Sequence, residues 1–202
     1  MAKRILLLAS GGGSLAAAIL EAQDAGQLDL ECVGLVSDKQ SPVLDIARRY
    51  GIPDFYLPMR SDRTQWDQEI FDRAQGLSPD LIVSVGFMRI LAPQFVSAFK
   101  VINTHPSLLP LFPGAHAVRD ALMAGVGTTG TTVHWVDAGL DTGAVISQRE
   151  VAVFPGDDEA TLHERIKIAE RALIVETLAG YGKTGEDLHC GSMRVWLSRL
   201  AL

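Results

Sequence analysis

The chain has 202 residues, enough for one sizeable domain with a buried core. Hydrophobic residues make up 48% of it against 21% charged, which excludes a disordered chain, and a formal net charge of −6 argues against nucleic-acid binding. A small anionic ligand is still compatible, because backbone donors can hold a phosphate on an acidic protein.

Lys3 and Arg4 followed by Ile5–Ala9 resemble the start of a secretion signal, but the apolar run is short and ends in glycines, so Arg4–Ala9 is predicted as a first strand. No segment approaches the roughly 18 apolar residues of a membrane span. Leu15–Ala25 then reads as a helix and Leu30–Ser37 as a second strand. Pro42 suits the opening of a helix over Val43–Tyr50, which Gly51 and Pro53 end. Phe55–Leu57, Arg63–Gln75 and Leu81–Val85 follow as strand, helix and strand. The two cysteines, Cys32 in a strand and Cys190 in a polar tail, have no metal-like or redox-like spacing and read as inert thiols of a reducing cytoplasm.

Pro93–Ala98 is predicted as a short helix and Val101–Thr104 as a central strand. A proline loop (Pro106, Pro110, Pro113) separates it from a helix over His116–Ala124. Thr131–Val136 and Ala144–Val153 are two further strands, the second alternating as an antiparallel strand does. Asp157–Ala179 is a long helix whose acidic start complements the helix dipole. Alternating strands and helices make the fold class α/β, a mostly parallel central sheet with helices on both faces.

Gly11, Gly13 and Ala16 satisfy G-x-G-x-x-G/A after the first strand, with Asp38 at the end of the second, where a dinucleotide ribose acid belongs. The physical content of the loop is broader: close backbone approach and free helix-terminal N–H groups suit any phosphate-bearing ligand. Asn103 and His105, two apart in a strand, project to one face at its carboxyl end, where open α/β sheets place their sites. Asp141, between Gly139 and Gly143, reads by itself first as a solvated turn residue, with a functional acid as the alternative.

The stretches GFMRIL (Gly86–Leu91), NTHPSLLPLFPG (Asn103–Gly114) and HWVDAGLDTG (His134–Gly143) together resemble the folate-dependent formyltransferases. The likeness extends over about residues 3–178 and is nearest to the members that formylate glycinamide ribonucleotide in purine synthesis. It implies a Rossmann-like formyltransferase fold in one domain over 1–202: a phosphate-binding half (1–100), a catalytic and folate-binding half (101–180) and a C-terminal tail (181–202). It implies direct attack of the amine on the formyl carbon of 10-formyltetrahydrofolate, a co-substrate, with no metal and no covalent enzyme intermediate. Asn103, His105 and Asp141 would be the catalytic set. Gly11, Gly12, Gly13 and Ser14 would take the substrate phosphate, with Pro106 and Glu170 beside the ribonucleotide. Arg63, Met88, Arg89, Ile90 and Leu91 would line the folate pocket together with Asn103. The turn Asp137, Ala138, Gly139, Leu140 and Asp141 would close around the pterin. Taken by themselves, Met88, Ile90 and Leu91 read as core, Arg63 as a solvated cation and Glu170 as a solvent-facing mid-helix acid. Many members have Asn where Leu15 stands and Lys where Leu111 stands, which leaves the phosphate more dependent on backbone N–H groups and Ser14.

The expected partners are small-molecule substrates in the cytoplasm, with neither nucleic acid nor membrane, and a homodimer is left open. A dinucleotide-dependent dehydrogenase is the rival that best explains Asp38, but it leaves the Asn103–His105 pair without a role. A non-catalytic folate or nucleotide sensor would not require His105. Formylation of an amino sugar nucleotide is the nearest alternative within the family.

Overall fold

The computed structural model describes residues 2–184. Cys190 and most of the tail assigned to 181–202 lie outside the described residues. The elements in chain order are β1 (Lys3–Ala9), α1 (Ser14–Asp24), β2 (Leu30–Ser37), α2 (Pro42–Arg49), β3 (Asp54–Tyr56), α3 (Arg63–Leu77), β4 (Leu81–Ser84), α4 (Pro93–Ala98), β5 (Val101–His105), α5 (Ala117–Met123), β6 (Thr128–Trp135), β7 (Val145–Ala152) and α6 (Glu159–Thr184). All strands join one seven-stranded sheet in the order β3-β2-β1-β4-β5-β6-β7. The pairs from β3 to β5 are parallel, and β6 and β7 are added antiparallel. The strand order therefore reverses between β1 and β4, the place where open parallel sheets leave a crevice at their carboxyl ends.

Period-two alternation divides the core into two layers. Ile5, Leu7 and Ala9 of β1 pack beneath α1, α2 and α6, joined by Leu35, Val83, Ile102 and Val133. Leu6 and Leu8 point to the other face and meet Trp66, Ile70 and Phe95 of α3 and α4. With both faces covered, β1 is apolar and buried throughout Ile5–Ala9, as a buried parallel strand must be. Each fully buried Leu or Ile contributes roughly 1.5–3 kcal/mol to this arrangement.

Helix ends follow local chemistry. The Asp62 carboxylate accepts from Thr64 N–H at 2.9 Å to cap α3, and Asp158 accepts from Thr161 N–H at 2.7 Å to cap α6. That cap is why α6 begins at Glu159, later than the predicted Asp157. By contrast α1 starts at Gly13 in a left-handed conformation (φ 77°) with no side-chain cap. Its first-turn N–H groups are thus left without a side-chain acceptor. β6 begins at Thr128, ahead of the predicted Thr131, because its ladder with β7 runs back to the Thr128–Ala152 pair. Gly130 is required there: a Cβ would lie 2.2 Å from the Arg149 carbonyl oxygen and 2.6 Å from Leu108.

Candidate active site

β5 is a central strand until His105, where the proline loop replaces it. Side chains of β6 and β7 tie that loop down. Thr132 Oγ1 donates to the Ser107 carbonyl at 2.7 Å and accepts from Leu109 N–H at 3.1 Å. Gln148 Nε2 donates to the Leu109 carbonyl at 2.8 Å and to Thr132 Oγ1 at 3.0 Å. Within the loop, the Ser107 hydroxyl donates to the Leu111 carbonyl at 2.5 Å. The prolines remove N–H groups that would otherwise need acceptors, and these few bonds then suffice to hold the backbone.

The loop fixes His105. The ring is buried, and its Nε2 lies 2.8 Å from the Phe112 carbonyl, so Nε2 carries a proton and Nδ1 is the nitrogen free for chemistry. Nδ1 faces Asp141 Oδ2 at 3.5 Å. The Asp141 carboxylate is itself held by Gly114 N–H at 2.8 Å. Asp141 and Phe112 both have left-handed backbones (φ 54° and 53°), unusual for residues other than glycine. Both residues that meet the imidazole thus sit in costly conformations maintained by the surrounding loop.

One participant has no signal in the spacing. His134 stands directly opposite Asn103 in the antiparallel β5–β6 ladder. Its Nδ1 lies 2.9 Å from the Trp135 carbonyl, and its Nε2 lies 3.3 Å from Asn103 Nδ2 and 3.7 Å from Asp141 Oδ1. Burial lowers its pKa, outweighing the Trp135 hydrogen bond and the Asp141 charge, which act the other way. His134 is accordingly neutral near pH 7, with Nδ1 donating to Trp135 and Nε2 accepting from the Asn103 amide. Only the strand register, which no local pattern announces, makes it a neighbour.

The Asp137–Asp141 turn is exposed from Asp137 to Leu140. Asp137 works within it, accepting from Thr142 Oγ1 at 2.7 Å and Gly139 N–H at 2.9 Å, and the Thr142 bond is the main reason its pKa is lowered. A cleft of about 320 Å³ separates this turn from the proline loop, lined by Leu109, Pro110, Pro113, Leu140, Asp141 and Val145.

The other predicted residues fall at neighbouring strand ends. Gly11, Gly12 and Ser14 are exposed at the end of β1, and Pro106 is half-buried after β5. Leu15 turns its side chain into the core, whereas Leu111 is exposed. Met88 and Ile90 are exposed at 59% and 68%, which overturns their reading as core residues; Leu91 is buried. Arg63 is exposed yet not free: it donates to the Ile90 carbonyl and to Asp67 at 2.7 Å. Asp38 corrects the dinucleotide rival. Its side chain is sealed from solvent and accepts from Arg89 Nε at 2.6 Å, so it is not presented to a ribose.

Glu170 is also unlike its local reading. It is 5% exposed, and burial pushes its pKa up to about 7. It lies beside Thr131 of β6, beneath α6. Asn103, His105, His134 and Asp141 form one cluster. That cluster joins an amide donor to an imidazole backed by a carboxylate, a set suited to stabilising a developing oxyanion while a proton moves nearby. Among the described residues no group of His, Cys, Asp and Glu is arranged to hold a metal ion, and no helix is long and apolar enough to cross a membrane.

Residues 3–178 match the formyl transferase family. The chain is 46% identical over 186 residues to the phosphoribosylglycinamide formyltransferase of Mycobacterium tuberculosis, covering 90% of this chain and 86% of that relative. It is 38% identical over 174 residues to the enzyme of the same name from Escherichia coli, covering 84% and 82%. The crystal structure of phosphoribosylglycinamide formyltransferase from Bacillus halodurans matches with a TM-score of 0.87 at 35% identity, over 94% of this chain and 100% of that one.

Proposed function

The chain belongs to the formyl transferase family, and from that premise we propose that it transfers the formyl group of 10-formyltetrahydrofolate to the amine of N1-(5-phospho-D-ribosyl)glycinamide, a step of purine biosynthesis. The observation that carries the mechanism is the Asn103–His105–Asp141 cluster at the carboxyl end of β5, with Nδ1 of His105 facing Asp141 at 3.5 Å.

The substrate amine attacks the formyl carbon, a C–N bond forms, and negative charge grows on the formyl oxygen. Asn103 commits one amide N–H to His134 and keeps the other for that oxygen. Protonated His105 adds positive charge beside it, and Asp141 balances the imidazolium. As the bond from the formyl carbon to N10 of the folate breaks, the proton lost by the amine passes to N10. Asp141 assists that transfer as an acceptor. No covalent enzyme intermediate is needed.

The folate is assigned to Arg63, the Met88–Leu91 segment and the Asp137–Asp141 turn, where exposed Met88, Ile90 and Leu140 offer apolar contact. The substrate phosphate is assigned to Gly11–Ser14, because the uncapped start of α1 presents N–H groups and a positive helix end to an anion. Pro106 and Glu170 are assigned to the ribonucleotide end. The chain is assigned as one domain, its phosphate-binding half in 1–100 and its catalytic and folate half in 101–180. The deciding assay offers the purified protein 10-formyltetrahydrofolate with glycinamide ribonucleotide and, separately, with amino sugar nucleotides. Formylation of the first alone supports the assignment. Transfer only to an amino sugar nucleotide would keep the chemistry and replace the acceptor.

A further inference from the structure

The Gly86–Leu91 segment after β4 has no regular secondary structure, yet it is held at every second residue. Ser10 N–H donates to the Gly86 carbonyl at 3.1 Å, and the Ser10 hydroxyl accepts from Met88 N–H at 2.9 Å. Arg89 Nε donates to Asp38 Oδ2 at 2.6 Å, and Arg63 donates to the Ile90 carbonyl. Ser10 and Asp38 directly follow β1 and β2, the strands on the glycine-loop side of the switch point. Since β1 lies between β2 and β4, the Arg89 side chain crosses over the end of β1 to reach Asp38.

The Asp38 side chain is 0% exposed, and its second oxygen makes no hydrogen bond. A sealed carboxylate with a single partner depends on that partner for its charge balance. It also lies one strand over from Ser10, since Ser37 pairs with Ala9. Without Arg89 it would set a negative charge beside a loop assigned to phosphate. With Arg89 drawn inward, the flanking Met88 and Ile90 are turned outward, at 59% and 68% exposure. The ion pair thus decides which side chains the segment shows to the crevice.

We propose that Asp38 is a positioning residue for folate, acting through Arg89: the pair braces Met88–Leu91 in the shape that receives the pterin. This rests on the formyl-transfer reading above. A charge-assisted hydrogen bond of this kind is expected to be worth roughly tenfold or more in folate affinity. Asp38→Asn should raise folate KM by that factor, with ribonucleotide KM and saturated kcat changed by no more than about threefold, and Arg89→Gln should raise folate KM likewise. The double variant should match the singles, because cutting either end releases the same brace. It also leaves no buried charge, so it serves as the folded reference should a single variant prove unstable. Folate binding is read independently by calorimetry with 5-formyltetrahydrofolate, which needs no turnover. Wild type that binds no folate would sink both the brace and the formyl-transfer reading. Wild type that binds folate, with the double variant binding equally well, would overturn the brace alone. So would single effects that add in the double variant, or a loss of ribonucleotide affinity as large as that of folate.

Discussion

Asn103 on β5 and His134 on β6 are direct cross-strand partners, and Nδ2 of the amide lies 3.3 Å from Nε2 of the imidazole. Because His134 donates from Nδ1 to Trp135, its Nε2 can only accept, so the amide group of Asn103 is held with nitrogen toward His134. The second amide hydrogen is then aimed by the first.

That relationship predicts the behaviour of an aromatic substitution. His134→Phe keeps an aromatic side chain and removes the acceptor, freeing the Asn103 amide to flip. Turnover should fall roughly 10- to 100-fold with both KM values little changed. Asn103→Ala should lose roughly 10²–10³, and the double variant should be no worse than Asn103→Ala alone. Steady-state kinetics of the three proteins decide it: independent, multiplying losses would show that His134 does not act through Asn103.

His105→Ala should fold, since the loop is also held by Thr132, Gln148 and Ser107, but lose roughly 10²–10⁴ in kcat. Asp141→Asn keeps the volume of the turn but removes the negative charge 3.5 Å from Nδ1 and the oxygen that can take up a proton. Turnover should drop strongly while folate still binds. Near-normal kcat would return Asp141 to the role of a turn residue.

The glycines of the loop are not equivalent. A Cβ at Gly13 would meet Val43 Cγ2 at 2.6 Å and Ile46 Cδ1 at 2.9 Å, at a residue with φ 77°. Gly13→Ala should therefore destabilise the fold by roughly 2–4 kcal/mol, adding left-handed strain to overpacking against α2. Nothing lies within 4 Å of a Cβ at Gly12. Gly12→Val should melt like wild type yet raise ribonucleotide KM about tenfold or more by blocking backbone approach. Unchanged KM in that variant would argue against phosphate at this loop.

Glu170 predicts a pH dependence of stability. Its folded pKa is raised from 4.5 to about 7, chiefly by burial, with Lys167, Arg171 and Thr131 opposing. The folded state then holds a proton that the unfolded state releases, so the stabilisation is complete below 4.5 and is lost as pH rises through about 7. Glu170→Gln mimics the protonated form. It should match wild type in denaturant unfolding at about pH 4 and exceed it by on the order of 3 kcal/mol at about pH 9. A constant difference across the range would mean that the carboxyl is not buried in solution. His134 has the opposite sign: its lowered pKa makes stability fall as pH drops below 6.5.

What could be read along the chain was whatever depends on near neighbours. The apolar run of β1 announced a strand, the alternation of strands and helices announced cover on both faces, and Pro42, Gly51 and Pro53 marked the ends of α2. The two-residue spacing of Asn103 and His105 set them on one face, because strand side chains alternate whatever lies around them. The exposure of Met88 and Ile90, the sealing of Asp38, the burial of Glu170 and the pairing of Asn103 with His134 were not legible in that way. Each is decided by residues tens of positions away: Arg89 for Asp38, α6 against β6 for Glu170, and the β5–β6 register for His134. Local preferences involve a few residues and are written in their order. Register and burial are settled only when the whole sheet closes its core, and at that point an exposed-looking acid can become an internal one.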